Sequence, residues 1–113
     1  MQTWEDVHSS REWGEWPDDA VIRFIKGQLP RELGHAISGM SVLELGCGAG
    51  ANLRLFAEES LRIAGIDISA SAIAKAQQRI DKWYPDWTPF VSPQHEALIA
   101  GTVNELPWGG GEF

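Results

Sequence analysis

A short apolar run, Ser41 to Leu45 (SVLEL), passes without a break into Gly46-Cys47-Gly48-Ala49-Gly50, and this junction limits the fold more than any other feature. A compact, partly β-branched segment ending at closely spaced glycines has the form of a buried parallel strand turning into a helix. Glycines at 46, 48 and 50 permit positive φ and let a ligand come close to the backbone. The following residues, Ala49 to Glu59, are expected to form a helix with Leu53, Phe56 and Ala57 on one face. Its first N–H groups would lie unpaired beside the loop.

The pattern then recurs. Leu61 to Ile66 (LRIAGI) reads as a second strand ending at Asp67, and Ser69 or Ser71 is placed to cap a helix reaching to about Trp83. The core face of that helix is expected at Ile73, Ala76, Gln77 and Ile80. Residues 84–96 contain three prolines and are expected to be a long irregular connection. Ala97 to Gly101 is the expected third strand, with Phe90-Val91 competing for that place. Ahead of all this, Asp18 or Asp19 can cap a helix starting near Ala20, with Val21, Ile22, Ile25 and Leu29 on its apolar face and a boundary at Gly34.

Helix, strand, helix, strand, helix, strand defines an α/β chain: a Rossmann-like open parallel sheet with right-handed crossovers, incomplete at about three strands. A chain of 113 residues suffices for one modest core, not two domains. The expected division is an aromatic, acidic N-terminal segment, 1–19, followed by a ligand-binding part, 20–113, truncated before a fourth strand. The three parallel strands would leave an edge and a face to be covered. A second copy or a missing C-terminal half is therefore the expected companion.

Charge narrows the ligand. The net charge is −7, and residues 1–19 alone hold six acids and one base. With no Lys/Arg stripe, the chain is a poor candidate for neutralising nucleic-acid phosphates. The lone cysteine, Cys47, leaves no internal disulfide. There is neither a signal-like N-terminus nor an apolar stretch near 18 residues, so a cytoplasmic location without membrane attachment is expected. The three histidines, His8, His35 and His95, lack ligand spacing, and no metal site is expected.

The acids around the glycines carry the chemistry. Asp67 lies 21 residues after Gly46 at the end of the second strand, where a carboxylate reaches a ribose diol. Alternatively it is only a cap for the next helix. The spacing is not that of a dinucleotide loop, because Ala51 stands where G-x-G-x-x-G requires its third glycine. Glu44, two residues ahead of the glycines, suits a ligand with positive charge rather than a pyrophosphate. No Lys-Ser/Thr follows, which excludes a Walker-type loop.

VLELGCGAG (42–50) followed by GIDIS (65–69) resembles the first two signature segments of the class I S-adenosylmethionine-dependent methyltransferases, and the resemblance extends over roughly residues 40–113. It implies S-adenosyl-L-methionine as cofactor. The loop of Gly46, Cys47, Gly48 and Gly50 would pass under its methionine part, and Glu44 would contact its amino end directly or through water. It further implies that Asp67 holds both ribose hydroxyls, that Ile68 packs on the adenine, and that Ile73 and Ala76 fill small and apolar helix positions. LIAGTVNELPWGGGEF (98–113) is similar to the family's third-strand segment. There Thr102, with Val103 beside it, stands where an acid commonly meets the adenine amino group. Thr102 has no charge but can accept a hydrogen bond. Leu106, Pro107 and Trp108 match a turn that leads to a fourth strand.

The expected activity is methyl transfer from the sulfonium, to a small molecule in preference to nucleic acid, with this chain supplying the cofactor-binding half and inactive by itself. No catalytic residue is assigned. The alternatives are a non-catalytic S-adenosylmethionine-binding or partner module and, less well matched by the loop, a nucleotide-dependent oxidoreductase. Cys47 is expected as a small space-filler whose backbone matters, not a nucleophile. Of the six tryptophans, Trp4, Trp13 and Trp16 are expected either to pack on the first helix or to line the pocket mouth. Trp83 and Trp87 would cover the sheet edge, and Trp108 would lie near the adenine rim.

Overall fold

The computed structural model describes residues 16–91, 95–102 and 104. The expectations for Trp4, His8, Trp13, Val103, Leu106, Pro107 and Trp108 lie outside those residues.

Helix α1 spans 19–33 in three parts, α-helical Asp19–Arg23, π-helical Phe24–Gln28 and α-helical Leu29–Leu33. Asp18 caps it, its Oδ1 accepting the Ala20 N–H at 2.8 Å. The wide turn sits directly before Pro30, which has no N–H to give to Lys26 and whose ring would crowd that carbonyl. The Leu29 N–H instead reaches back five residues to the Phe24 carbonyl. Gly34 ends the helix in the left-handed region at φ 76°, with its N–H on the Pro30 carbonyl. Ile25 is buried, and Val21, Ile22 and Leu29 pack beside it, as the apolar periodicity predicts.

Strand β1 (Ser41–Leu45) leads through the glycine loop to α2 (Ala51–Glu58), then to β2 (Arg62–Asp67) and α3 (Ala70–Trp83). Helix α2 begins two residues later than the sequence suggests, because Gly50 is its cap at φ 87°, a conformation outside the helix. Ser69 caps α3, its hydroxyl accepting the Ala72 N–H at 3.0 Å. The buried face of α3 is Ala72, Ala76 and Ile80, with Ile73 packed at its margin.

All strand pairing is parallel, with β2 central. β1 pairs with it along its whole length, from Ser41 opposite Arg62 to Leu45 opposite Ile66. The other side of β2 is shared by two pieces. β3 (Thr88–Pro89) pairs with Arg62 and Ile63, and β4 (Leu98–Ala100) pairs with Gly65 to Asp67. The strand expected at Ala97 to Gly101 is therefore present as Leu98–Ala100, whereas Phe90-Val91 forms no strand: the second piece on this edge is Thr88–Pro89, just ahead of it. Pro89 contributes no N–H, and the ladder resumes at Phe90, which donates to the Ile63 carbonyl at 2.7 Å.

Burial follows this order. β2 is buried from Ile63 to Asp67, whereas β1 is half-buried and has no partner on its outer side among the described residues. One apolar cluster runs from Ile25 and Ile37 through Leu53, Phe56 and Ile63 to Ile80 and Leu98. Exposed Lys26 reaches the end of α2, 2.7 Å from Glu59, a contact that contributes little in water.

Candidate functional site

In a parallel sheet the loops leaving the carboxyl ends of the strands converge, and here they bring Glu44, the glycine loop, Asp67, Ile68 and Thr102 to one edge. The loop is clipped to the neighbouring strand. The N–H groups of Gly46 and Cys47 both donate to the Ile66 carbonyl, at 2.7 and 3.0 Å. That of Gly48 donates to Asp67 Oδ2 at 2.9 Å, and that of Gly50 to the Cys47 carbonyl at 3.1 Å. Four loop N–H groups are thus spent inside the protein. A phosphate cradle would need them pointing outward.

The three glycines have different neighbours. Gly46 has φ 73°, and a Cβ there would meet nothing within 4 Å among the described residues, so its side-chain face is open toward them. Gly48 has φ 56°. Gly50, at φ 87°, faces α3, where a Cβ would come 3.0 Å from the Ala76 Cβ. Gly46 therefore borders space that a ligand can use, and Gly50 lets the loop and α3 close on each other.

Asp67 is only 4% exposed. Its Oδ1 accepts the Ser69 N–H and its Oδ2 the Gly48 N–H, both at 2.9 Å. These bonds fix the carboxylate between loop and helix, so the capping role weighed from the sequence is present. They occupy two of its four acceptor positions. Ile68, the next residue, is 67% exposed, and Thr102 is exposed just beyond β4. The Gly101 N–H donates to the Asp67 carbonyl at 2.8 Å, which brings Thr102 near that acid.

Glu44 is the least satisfied group. Its Oε2 accepts from the Asn52 amide at 2.8 Å, while its Oε1 is buried with no hydrogen-bond partner among the described residues. Burial raises its carboxyl above the ordinary pKa of 4.5; the Asn52 hydrogen bond opposes the rise and the Asp67 charge adds to it. Cys47 is 7% exposed, and its sulfur lies 3.1 Å from where a Cβ on Gly65 would stand, so the thiol fills the space that glycine leaves. Burial and then the charges of Glu44 and Asp67 push it up to about 12, which makes it a poor nucleophile.

The structure adds residues that the sequence reading did not single out. Asn52 ties Glu44 to the start of α1, since its Oδ1 accepts the Asp18 N–H at 3.0 Å. The Arg54 guanidinium lies 5.0 Å from the ring centre of Trp16 and 4.7 Å from that of Trp83. Trp16, 74% exposed, thus stacks on Arg54 of α2. An amide in the first turn after the loop was the one available signal for Asn52. The Arg54 contacts join residues too distant in sequence to leave one. Among the described residues no group of three His, Cys, Asp or Glu could hold a metal ion, and no helix is long and apolar enough to cross a membrane.

Comparison with known proteins agrees with this fold. Residues 37–90 match the model of the methyltransferase domain family. Among solved structures, a methyltransferase from Geobacter sulfurreducens, in complex with S-adenosyl-L-homocysteine, is 21% identical with a TM-score of 0.55. The match covers 89% of this chain and 36% of that one. The magnesium protoporphyrin IX methyltransferase of Synechocystis PCC 6803, solved with bound S-adenosylmethionine, is 20% identical with a TM-score of 0.56, over 88% of this chain and 50% of that one. At this identity the likeness is one of fold, and the chain spans half or less of either structure's length. No curated protein matches. Residues 37–90 thus match the methyltransferase domain family, and the chain shares its fold with these S-adenosylmethionine-dependent methyltransferases.

Proposed function

We propose that the carboxyl edge of this sheet binds S-adenosyl-L-methionine and that the chain is the cofactor-binding part of a methyltransferase acting on a small molecule. The observation that carries the reading is the buried Oε1 of Glu44, without a hydrogen-bond partner among the described residues, at the head of a glycine loop with the Asp67 carboxylate close by. The residues fit the cofactor. Glu44 would meet its amino group, the open face of Gly46 would admit the methionine chain, Asp67 would take the ribose hydroxyls, and exposed Ile68 would lie against the adenine with Thr102 near its rim. The inward-turned N–H groups of the loop speak against a pyrophosphate, and so against a nucleotide-dependent oxidoreductase.

When bound, the cofactor supplies a methyl group on a sulfonium, already a good leaving group. The protein's part is to hold donor and acceptor in line and keep water out. Asp67 and Glu44 are binding groups in this scheme, and no proton-transfer role falls to either. The acidic surface favours a small acceptor over nucleic acid. We also assign the outer edge of β1 to a further strand, from a second copy or from a C-terminal half, and the protein to the cytoplasm.

Titrating the chain with S-adenosylhomocysteine and separately with NAD, followed by tryptophan fluorescence, tests the reading. S-adenosylhomocysteine should bind and NAD should not. Asp67→Asn, which keeps one acceptor oxygen for the loop, should weaken S-adenosylhomocysteine binding about tenfold or more. Binding of NAD alone, or an unchanged affinity in Asp67→Asn, overturns the respective assignment.

A further inference from the structure

Asn52 stands where the ligand acid meets the entry to the first helix. Its amide can satisfy both neighbours in one orientation only: the NH2 group donates to Glu44 Oε2 at 2.8 Å and the oxygen accepts the Asp18 N–H at 3.0 Å. Asp18 is itself the cap of α1, and Trp16, two residues earlier, stacks on Arg54 in the same helix α2. The segment entering α1 is therefore fastened twice to α2, and one fastening shares its amide with Glu44. We propose that Asn52 is a positioning residue of the ligand site: it holds one oxygen of Glu44, leaves Oε1 for the ligand's cationic amino group, and makes that arrangement depend on docking of the segment that enters α1. The proposal rests on the reading that this edge takes S-adenosylmethionine.

The amide suits the task because it is uncharged and two-sided. An aspartate would set a third carboxylate beside Glu44 and Asp67, and an apolar residue would leave both Glu44 Oε2 and the Asp18 N–H without this partner. The ionisable group that acts on Glu44 is Asp67, from β2; the Cys47 thiol is itself pushed up by the Glu44 charge. Of the influences on Glu44, the Asn52 hydrogen bond is the one that favours its charged form.

The test compares two ligands on the full 113-residue chain. S-adenosylhomocysteine carries the amino group. 5′-Methylthioadenosine keeps the nucleoside and thioether but lacks the amino acid end. The wild-type chain should bind both. Asn52→Leu should lose about tenfold in affinity for S-adenosylhomocysteine and nothing for methylthioadenosine. Its binding of S-adenosylhomocysteine should also fail at a higher pH than in wild type, because Glu44 then lacks the bond that keeps it ionised.

A second pair guards against a folding defect. Asp18 has φ −65°, the proline value, so Asp18→Pro removes the donated N–H without changing the backbone. Asp18→Ala removes only the cap. Asp18→Pro should show the same selective loss relative to Asp18→Ala, in smaller measure. Equal losses for both ligands, or an unchanged affinity with an unmoved pH profile, overturn the role of Asn52. A wild-type chain that binds neither ligand overturns the reading of the site itself.

Discussion

A buried acceptor without a partner costs about 1–3 kcal/mol, and Oε1 of Glu44 has none among the described residues. Because burial raises the Glu44 carboxyl above 4.5, the folded chain keeps a proton that the unfolded chain has released, over the interval from 4.5 to the folded value. Stability therefore falls as pH rises through that interval, and above it the cost is complete. Glu44→Gln removes the titration and still offers Asn52 an oxygen. It should melt about 5 °C higher than wild type at pH 7, with the gap closing as pH drops below 4.5, while S-adenosylhomocysteine binding falls about tenfold or more. Thermal melts between pH 4 and 7.5 check this. A gap of equal size at every pH would mean that ionisation of Glu44 is not its cause.

Between elements, the glycine loop has one face toward protein and one toward open space, and substitution should separate them. Alanine at 46 or 50 meets the same backbone penalty for a positive φ, about 1–2 kcal/mol. Alanine at 50 adds a clash with Ala76 on α3, whereas alanine at 46 meets no atom of the described residues within 4 Å. Gly50→Ala should thus be the more destabilised in urea titrations, and Gly46→Ala should lose more ligand affinity than stability. Equal destabilisation would remove the distinction. The loop itself was legible in the sequence, because a strand, a glycine turn and a helix cap are set by neighbours within a few residues. Asp67 was legible for the same reason, and its double acceptance from Gly48 and Ser69 was foreseen only as a cap. Other features depend on packing across the fold and leave no local signal. Pro30 was visible, but not the π turn that accommodates it five residues wide. Two short strands, β3 and β4, share one edge of β2 because Pro89 interrupts a ladder whose partner strand continues. Asn52 joins Glu44 to Asp18 across 8 and 34 residues, pairings that no periodicity encodes.

At the scale of the whole molecule, the apolar cluster decides how the parts respond together. It takes in Ile25 of α1, Cys47 of the loop, Leu53 and Phe56 of α2, Ile63 of β2, Ile80 of α3 and Leu98 of β4. Every long element except the half-buried β1 contributes a buried side chain, so no element can leave without opening the core of the others. Such a cluster predicts one cooperative transition. Trp83 and Trp87 sit near the start of β2 and β3, toward the amino ends of the strands, while the proposed ligand site lies at the carboxyl ends. Tryptophan fluorescence and far-UV circular dichroism should accordingly report coincident melts. S-adenosylhomocysteine at a hundred times its dissociation constant stabilises the folded state by about 2.7 kcal/mol. It should therefore raise both melts together by about 10–20 °C. A ligand shift seen by one probe and not the other would show that the edge carrying Glu44 and Asp67 unfolds apart from the core beneath it, and would restrict the coupling through Asn52 to that edge.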